Sequence, residues 1–439
     1  MKKILFLTFL FVLLPCMTIS AQDYVWTLED CIEYARVNNL QVRYSRLSEE
    51  TAETNLLQAE ADKLPSLSFS TTQSYSGQKA QNSSGNYRHD ESYTGSYSLN
   101  AGMTLFNGGK IVNTIRQQEL SVGMNILNTE EIQNNIEIAV TQAYLQVLYS
   151  NESLKIAEQN LESSEAQLER SEVLFEAGYI ALSEVAQIRA QYSGDKYQVT
   201  VAENSLADSY LQLRQLLEMG LGERIEIFIP EIDDQEVIQV VPSLESVYAT
   251  ALNVMPEVKN RMLGLEYAEL NEKLAYADRL PTVSLSAGLG TSNFSGSGLS
   301  FTDQLNRRLN ESVGVSISVP IFNNRRAKTS MELAKIQTRS AELDFYSTRK
   351  DLLNTVESLY REVVSAQSRY VSALENLRYS TISYTLVEEQ YNAGLKNPVE
   401  LLTEKNNYLA AQQETIQAKY QAVLYLKLLN FYRNEPIRL

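Results

Sequence analysis

The chain has 439 residues, with 54 acidic side chains against 38 basic ones, one histidine and two cysteines. Excess acid argues against nucleic-acid binding, which depends on neutralising phosphates. A lone histidine, His89, argues against a Ser–His–acid hydrolase or a histidine metal site.

The chain opens Met1-Lys2-Lys3, runs almost wholly apolar from Ile4 to Leu14, and reaches Ser20-Ala21. That pattern predicts a secretory signal peptide over 1–21, cut after Ala21. Losing its two lysines leaves 36 basic against 54 acidic residues, a net charge of −18. Cys16 lies in this segment, and the stiff Pro15 before it disfavours lipid attachment. Cys31 then stands alone and cannot form an internal disulfide. No later segment has the roughly 18 consecutive apolar residues of a spanning helix. The 26 tyrosines suit a protein with wet and apolar surfaces side by side.

At a constant offset of 216 the two halves align without a net gap, over about 27–218 and 243–433. Ala59-x-Ala61-Asp62-Lys63-Leu64-Pro65 matches Ala275-x-Ala277-Asp278-Arg279-Leu280-Pro281, Phe106-Asn107 matches Phe322-Asn323, and Tyr144 matches Tyr360. The predicted organisation is a first structural repeat at 22–218, a connector at 219–242, a second repeat at 243–433 and a tail at 434–439.

Each repeat begins with two helices, near 27–38 and 41–63 in the first, the second stopped by Pro65. Two segments of period-two alternation follow, predicting strands at about 66–76 and 93–105. In the second repeat the strands fall at about 282–291 and 312–321, where Val313, Val315, Ile317 and Val319 alternate with Ser312, Gly314, Ser316 and Ser318. Each run of about 10 residues suits a tilted strand crossing a bilayer, with the Ser/Gly/Asn-rich stretches 76–92 and 292–311 as loops. From about Lys110 the pattern is helical to a tip at 176–182, Phe175-Glu-Ala-Gly-Tyr-Ile-Ala-Leu182, and returns with heptad spacing through Val185, Ile188, Tyr192 and Asp195. The second repeat has its tip at 392–398, where Gly394 suits a helix end and Pro398 the next helix start.

Four strands cannot close a barrel, and an open edge in lipid strands its backbone groups. Three copies give twelve strands, enough for a water-filled lumen. The expected fold is an α+β membrane protein, a tandem-duplicated protomer of a trimeric 12-stranded β-barrel, four strands per chain, continued by a long α-helical coiled-coil barrel.

With its duplication, its Leu-Pro step into the first strand, Leu105-Phe106-Asn107-Gly108-Gly109-Lys110 after the second, and Ala-Gly at both tips, the mature chain resembles the TolC-like outer membrane efflux proteins. The resemblance implies a homotrimeric channel in outer-membrane lipid, extending into the periplasm of a Gram-negative bacterium. It implies docking of a periplasmic adaptor (membrane fusion) protein, and through it an inner-membrane pump, on tip residues Ala177, Gly178, Tyr179 and Leu182, and Ala393, Gly394, Leu395 and Pro398. It also implies an acidic constriction after the second tip, at Glu400, Thr403 and Glu404, although Thr403 stands where the family often has a second acid. For Glu400 a plain first-turn acid favoured by the helix dipole is the competing reading. The expected role is passive export, with no cofactor, no metal, no nucleic-acid partner and no catalytic constellation. The rival readings are a trimeric coiled-coil structural or adhesive surface protein, which leaves the strand hairpins unexplained, and an exported enzyme, which lacks a clustered nucleophile.

Overall fold

A computed structural model of the chain describes residues 25–81, 83–223 and 225–439. The predicted signal segment, with Cys16 and the cut after Ala21, lies outside the described residues. β1 (Val25–Trp26) leads into α1 (Leu28–Asn38) and α2 (Leu40–Ala61), then β2 (Ser66–Gln81) and β3 (Tyr87–Phe106). α3 (Lys110–Glu176) and α4 (Leu182–Leu216) form a long hairpin. β4 (Glu226–Ile227) and α5 (Asp234–Val237) lie in the connector. α6 (Leu244–Val254), α7 (Pro256–Ala277), β5 (Thr282–Phe294), α8 (Phe301–Arg307), β6 (Asn310–Ser318), α9 (Arg326–Asn392) and α10 (Pro398–Tyr432) complete the chain. The bounds of α6, α7, α9 and α10 are those of α1, α2, α3 and α4 displaced by 216.

Local chemistry sets these ends. Thr27 and Asp30 form a reciprocal capping box at α1, with the Thr27 amide 3.0 Å from Asp30 Oδ2. Asn39 caps α2 by accepting from the Gln41 amide at 2.9 Å, and its own amide donates to Leu216 O at the end of α4. Pro65 and Pro281 follow α2 and α7 and push the chain into extended conformation. At 67 residues, α3 and α9 are each about 100 Å long at 1.5 Å per residue.

The strands form one antiparallel sheet in the order β2-β3-β5-β6. Its register aligns Leu99 with Leu289 and Ala287 with Val313, so the apolar positions share a face. That face is bare: Phe69 and Ile317 are each 67% exposed. An apolar surface of this kind is built to meet hydrocarbon. A bulge between Thr104 and Phe106 breaks the β3–β5 register at the sheet's lower end.

The loops between strands are shorter and more ordered than their composition predicts. β2 and β3 continue through most of 76–92, leaving a turn at 83–86 with Gly85 at φ +84°. His89, expected in a loop, is paired with Lys79 within the ladder. Once the hairpin is paired, each further residue adds backbone bonds, and polar side chains on both faces are tolerated beyond the membrane. In the second repeat, β5 runs on to Phe294, and α8, capped by Ser300, occupies the expected loop. β6 stops at Ser318, short of the expected 321, because Pro320 has no N–H for the ladder.

The helices mirror the sheet. α2 packs on α3, α3 on α7, and α7 on α9, the lateral order of the strands they adjoin. Farther along, α1, α6, β1, β4 and α5 wrap the middle of the long helices around the main apolar core. Tyr144 anchors it, donating to Phe228 O at 2.6 Å and Trp26 O at 3.2 Å. Cys31 is fully buried there, and burial, with nearby Asp30 adding to it, pushes its thiol up to about 12. A thiol so placed is inert. Among the described residues no helix is long and apolar enough to cross a membrane, and no cluster of metal-ligating side chains is found.

Candidate functional site at the paired helix tips

α3 and α9 both start at the sheet and have equal length, so both hairpins turn at the same far end. At the first tip the Tyr179 amide donates to Leu174 O at 2.9 Å and the Gly178 amide to Phe175 O at 2.9 Å. At the second, Leu395 donates to Gln390 O at 2.9 Å and Gly394 to Tyr391 O at 3.0 Å. These are paired Schellman turns, and Gly178 (φ +79°) and Gly394 (φ +74°) supply the left-handed residue. The tips bare Tyr179, Leu182, Leu395 and Val399 to solvent, while Val185, Ile188, Pro398 and Leu401 are buried beneath them. Of the sequence-predicted docking residues, then, Tyr179, Leu182 and Leu395 present apolar surface and Pro398 supports it.

The second tip carries more polar structure than the first. Asn397 and Glu400 form a capping box: the Glu400 amide donates to Asn397 Oδ1 at 3.0 Å and the Asn397 amide to Glu400 Oε2 at 3.3 Å. The other Glu400 oxygen accepts from Lys396 Nζ at 2.5 Å. These donors, Lys396 first and the Asn397 amide second, hold the Glu400 carboxyl below the usual carboxylate range. At the first tip Ala181 occupies the cap position and makes no side-chain bond. Thr403 is exposed and donates back to Val399 O at 2.7 Å. Glu404, one turn after Glu400 on α10, accepts from Ser383 Oγ of α9 at 2.8 Å.

Polar links tie the two hairpins together behind the tips. Gln167 of α3 donates to both Tyr384 Oη (3.2 Å) and Glu388 Oε1 (3.1 Å) of α9. Arg170 donates to Asn392 O at the base of the second tip, 3.0 Å away. Burial, with Glu388 alongside, pushes the Tyr384 hydroxyl up to about 12, which keeps it a donor. Its ring stacks on Tyr408 of α10, centroids 5.3 Å apart. Between α4 and α10, Lys405 Nζ meets Asp195 Oδ2, and Gln191 donates to the other Asp195 oxygen at 2.8 Å.

The sequence placed Asp195 in a helical seam without assigning it a role. An acid at a seam position was the available signal, but its partner lies 210 residues away on another helix. The tip is therefore a pair of apolar turns fastened through a small set of charged and amide groups. Among the described residues it brings together no catalytic constellation.

The family model described as outer membrane efflux protein matches residues 31–218 and 247–429. The chain is 23% identical over 421 residues to outer membrane protein TolC of Escherichia coli K12, covering 92% of this chain and 81% of TolC. It is 24% identical over 408 residues to the cation efflux system protein CusC of the same organism, covering 89% and 82%. Among solved structures, a CusC structure superposes with a TM-score of 0.79 at 20% identity, over 93% of this chain and 92% of CusC. VceC of Vibrio cholerae gives 0.76 at 15% identity, over 94% and 97%.

Proposed function

The chain belongs to the outer membrane efflux protein family, and from that premise we propose how its parts work. It is an outer-membrane channel component of an efflux system, reaching into the periplasm, and not an enzyme. In our reading three copies close a 12-stranded barrel and continue it as a helical tube. The tube is a passive duct. A periplasmic adaptor docks on the apolar tips at Ala177–Leu182 and Ala393–Pro398 and couples them to an inner-membrane pump. Glu400, with Thr403 and Glu404 on the same helix, narrows the closed end, and docking dilates it.

One observation carries this reading. Strands and helices run in the same lateral order to open edges on both sides, while both hairpins end in matched tips with exposed apolar side chains. An open β edge is stable in lipid only when another chain closes it. A soluble fibre has no use for a sheet whose bare face is apolar.

The test is single-channel conductance of the purified protein in a planar bilayer, wild type against Glu400→Ala. The expected result is a cation-preferring pore whose conductance or divalent-ion block changes in the variant. A pore indifferent to the substitution would remove Glu400 from the constriction. Normal efflux from cells carrying disruptive substitutions in both tips would overturn adaptor docking there.

A further inference from the structure

The chain is acidic overall, yet one part of its surface is basic. Where β6 hands over to α9, a cleft of about 730 Å³ is lined by Arg279, just past α7, and by Arg325, Lys328 and Lys335 around the start of α9. That volume suits a small ligand or a lipid headgroup. Glu332 is the one acid in the lining, and it already accepts from Arg325 at 3.0 Å. Among the described residues Arg279, Lys328 and Lys335 form no ion pair. Beside them Ile321 and Phe322 are 96% and 84% exposed.

The duplication isolates what is special here. In the first repeat the positions matching the charged lining are Lys63, Gly109, Val112, Arg116 and Glu119. Two cations and one acid give those positions a net charge of +1, whereas four cations and one acid give the second repeat +3. Leu105 and Phe106, the matches of Ile321 and Phe322, are only half-exposed. The backbone is common to both repeats, but the dense charge and the bare apolar pair belong to the second alone.

Position gives the charge its meaning. Ile317, Val319 and Ile321 carry the alternating apolar row of β6 down to the level where α9 begins, and all three are exposed. The sheet lies in the outer membrane and the long helices reach into the periplasm, so this is the level of the periplasmic headgroups. Cations at that depth attract anionic lipid, and the positive end of the α9 dipole adds to them. Gln117, the match of Leu333, bonds Asn271 of α7, so Leu333 marks the side of α9 that faces the open edge of the wall. Lys335 is about 200° round the helix from Leu333, and a copy packed on that edge leaves the cleft clear.

We propose that this cleft binds the headgroup of an anionic phospholipid of the periplasmic leaflet, one for each chain. The phosphate sits among Arg279, Lys328 and Lys335, and the acyl chains run along Ile321, Val319 and Ile317.

Native mass spectrometry of the full chain in detergent tests this, with phosphatidylglycerol or phosphatidylcholine added at equal concentration. The wild-type protein should keep one phosphatidylglycerol per chain through collisional stripping and lose phosphatidylcholine. Lys328→Val with Lys335→Glu, which installs the first repeat's residues, should lower phosphatidylglycerol retention several-fold. Lys328→Gln with Lys335→Gln should act in the same direction, and it keeps the test open if the first pair folds poorly. Arg43→Gln with Lys196→Gln, which removes two exposed cations far along the helices, should leave retention unchanged. Equal retention of the two lipids by the wild-type protein, or an equal loss in the Arg43 and Lys196 control, would overturn the site. So would displacement of the lipid by an equal concentration of glycerol phosphate, which would mark a site for a free phosphate ester.

Discussion

Lys405 Nζ lies 3.0 Å from Asp195 Oδ2, and the two side chains are only 2% and 7% exposed. This buried pair joins α10 of the second repeat to α4 of the first, behind both tips. Burying two charges is costly, and the pair is tolerable only while each has its partner. Removing one partner should therefore hurt more than replacing both.

Lys405→Ala should destabilise the hairpin pair by about 3–5 kcal/mol, because Asp195 is left buried and unpaired. Lys405→Met combined with Asp195→Leu should be neutral or stabilising by denaturant titration. If the tips dilate by parting the hairpins, Lys405→Ala should also raise single-channel conductance, while the apolar pair should not.

Gly178 and Gly394 have open space where a Cβ would sit, so only their left-handed backbone resists substitution. Each glycine-to-alanine change should cost about 1–2 kcal/mol. The loss should appear as faster amide exchange at Tyr179 and Leu395, whose N–H groups close the turns, with the core around Tyr144 unaffected.

Glu400 has a lowered carboxyl pKa in the folded chain, caused first by Lys396 and then by the Asn397 amide. A depressed carboxyl stabilises fully above its unfolded value and loses that contribution as pH falls through the folded one. Amide protection at the second tip, taken relative to the intrinsic exchange rate at each pH, should thus be constant above the ordinary carboxylate range and fall as pH drops through the lowered folded value. The first tip, capped by Ala181, should show no such step. Because Lys396 offsets the Glu400 charge, Lys396→Ala should strengthen cation preference in the bilayer assay, opposite in sign to Glu400→Ala.

Glu137 on α3 is buried, and burial raises its carboxyl pKa, with Arg36 at 3.7 Å offsetting part of the rise. A carboxyl raised by folding favours the native state below its unfolded pKa and opposes it as pH climbs through the folded value. Glu137→Gln should raise the melting temperature at pH 7, and the advantage should close as pH falls toward 4. A constant difference across that range would show that packing, not ionisation, sets the effect.

How far the sequence could be read depended on whether a feature is local. Pro65, Pro281, Gly178, Gly394 and Pro398 mark element ends because backbone sterics act within a few residues. The strand hairpins outran their composition: Gly and Ser around 76–92 read as loop, yet cross-strand bonds hold Ser76–Gln81 against Tyr87–Ser92. Asn324 and Arg325 adopt the left-handed backbone of Gly108 and Gly109, and only the repeat betrays it. Glu404 could be placed on its helix from the sequence, but not in contact with Ser383.

By itself the sequence determined the duplication, the period of each segment, the turns and the apolar face of the sheet. All follow from chain stereochemistry and side-chain spacing, which are properties of short windows. The tertiary structure decided the lateral order α2-α3-α7-α9 and the meeting of Asp195 with Lys405. Several seam positions on each helix offer equivalent apolar stripes, so periodicity leaves the partner open. Packing resolves it, in an arrangement that joins the hairpins and keeps both charges of the buried pair together.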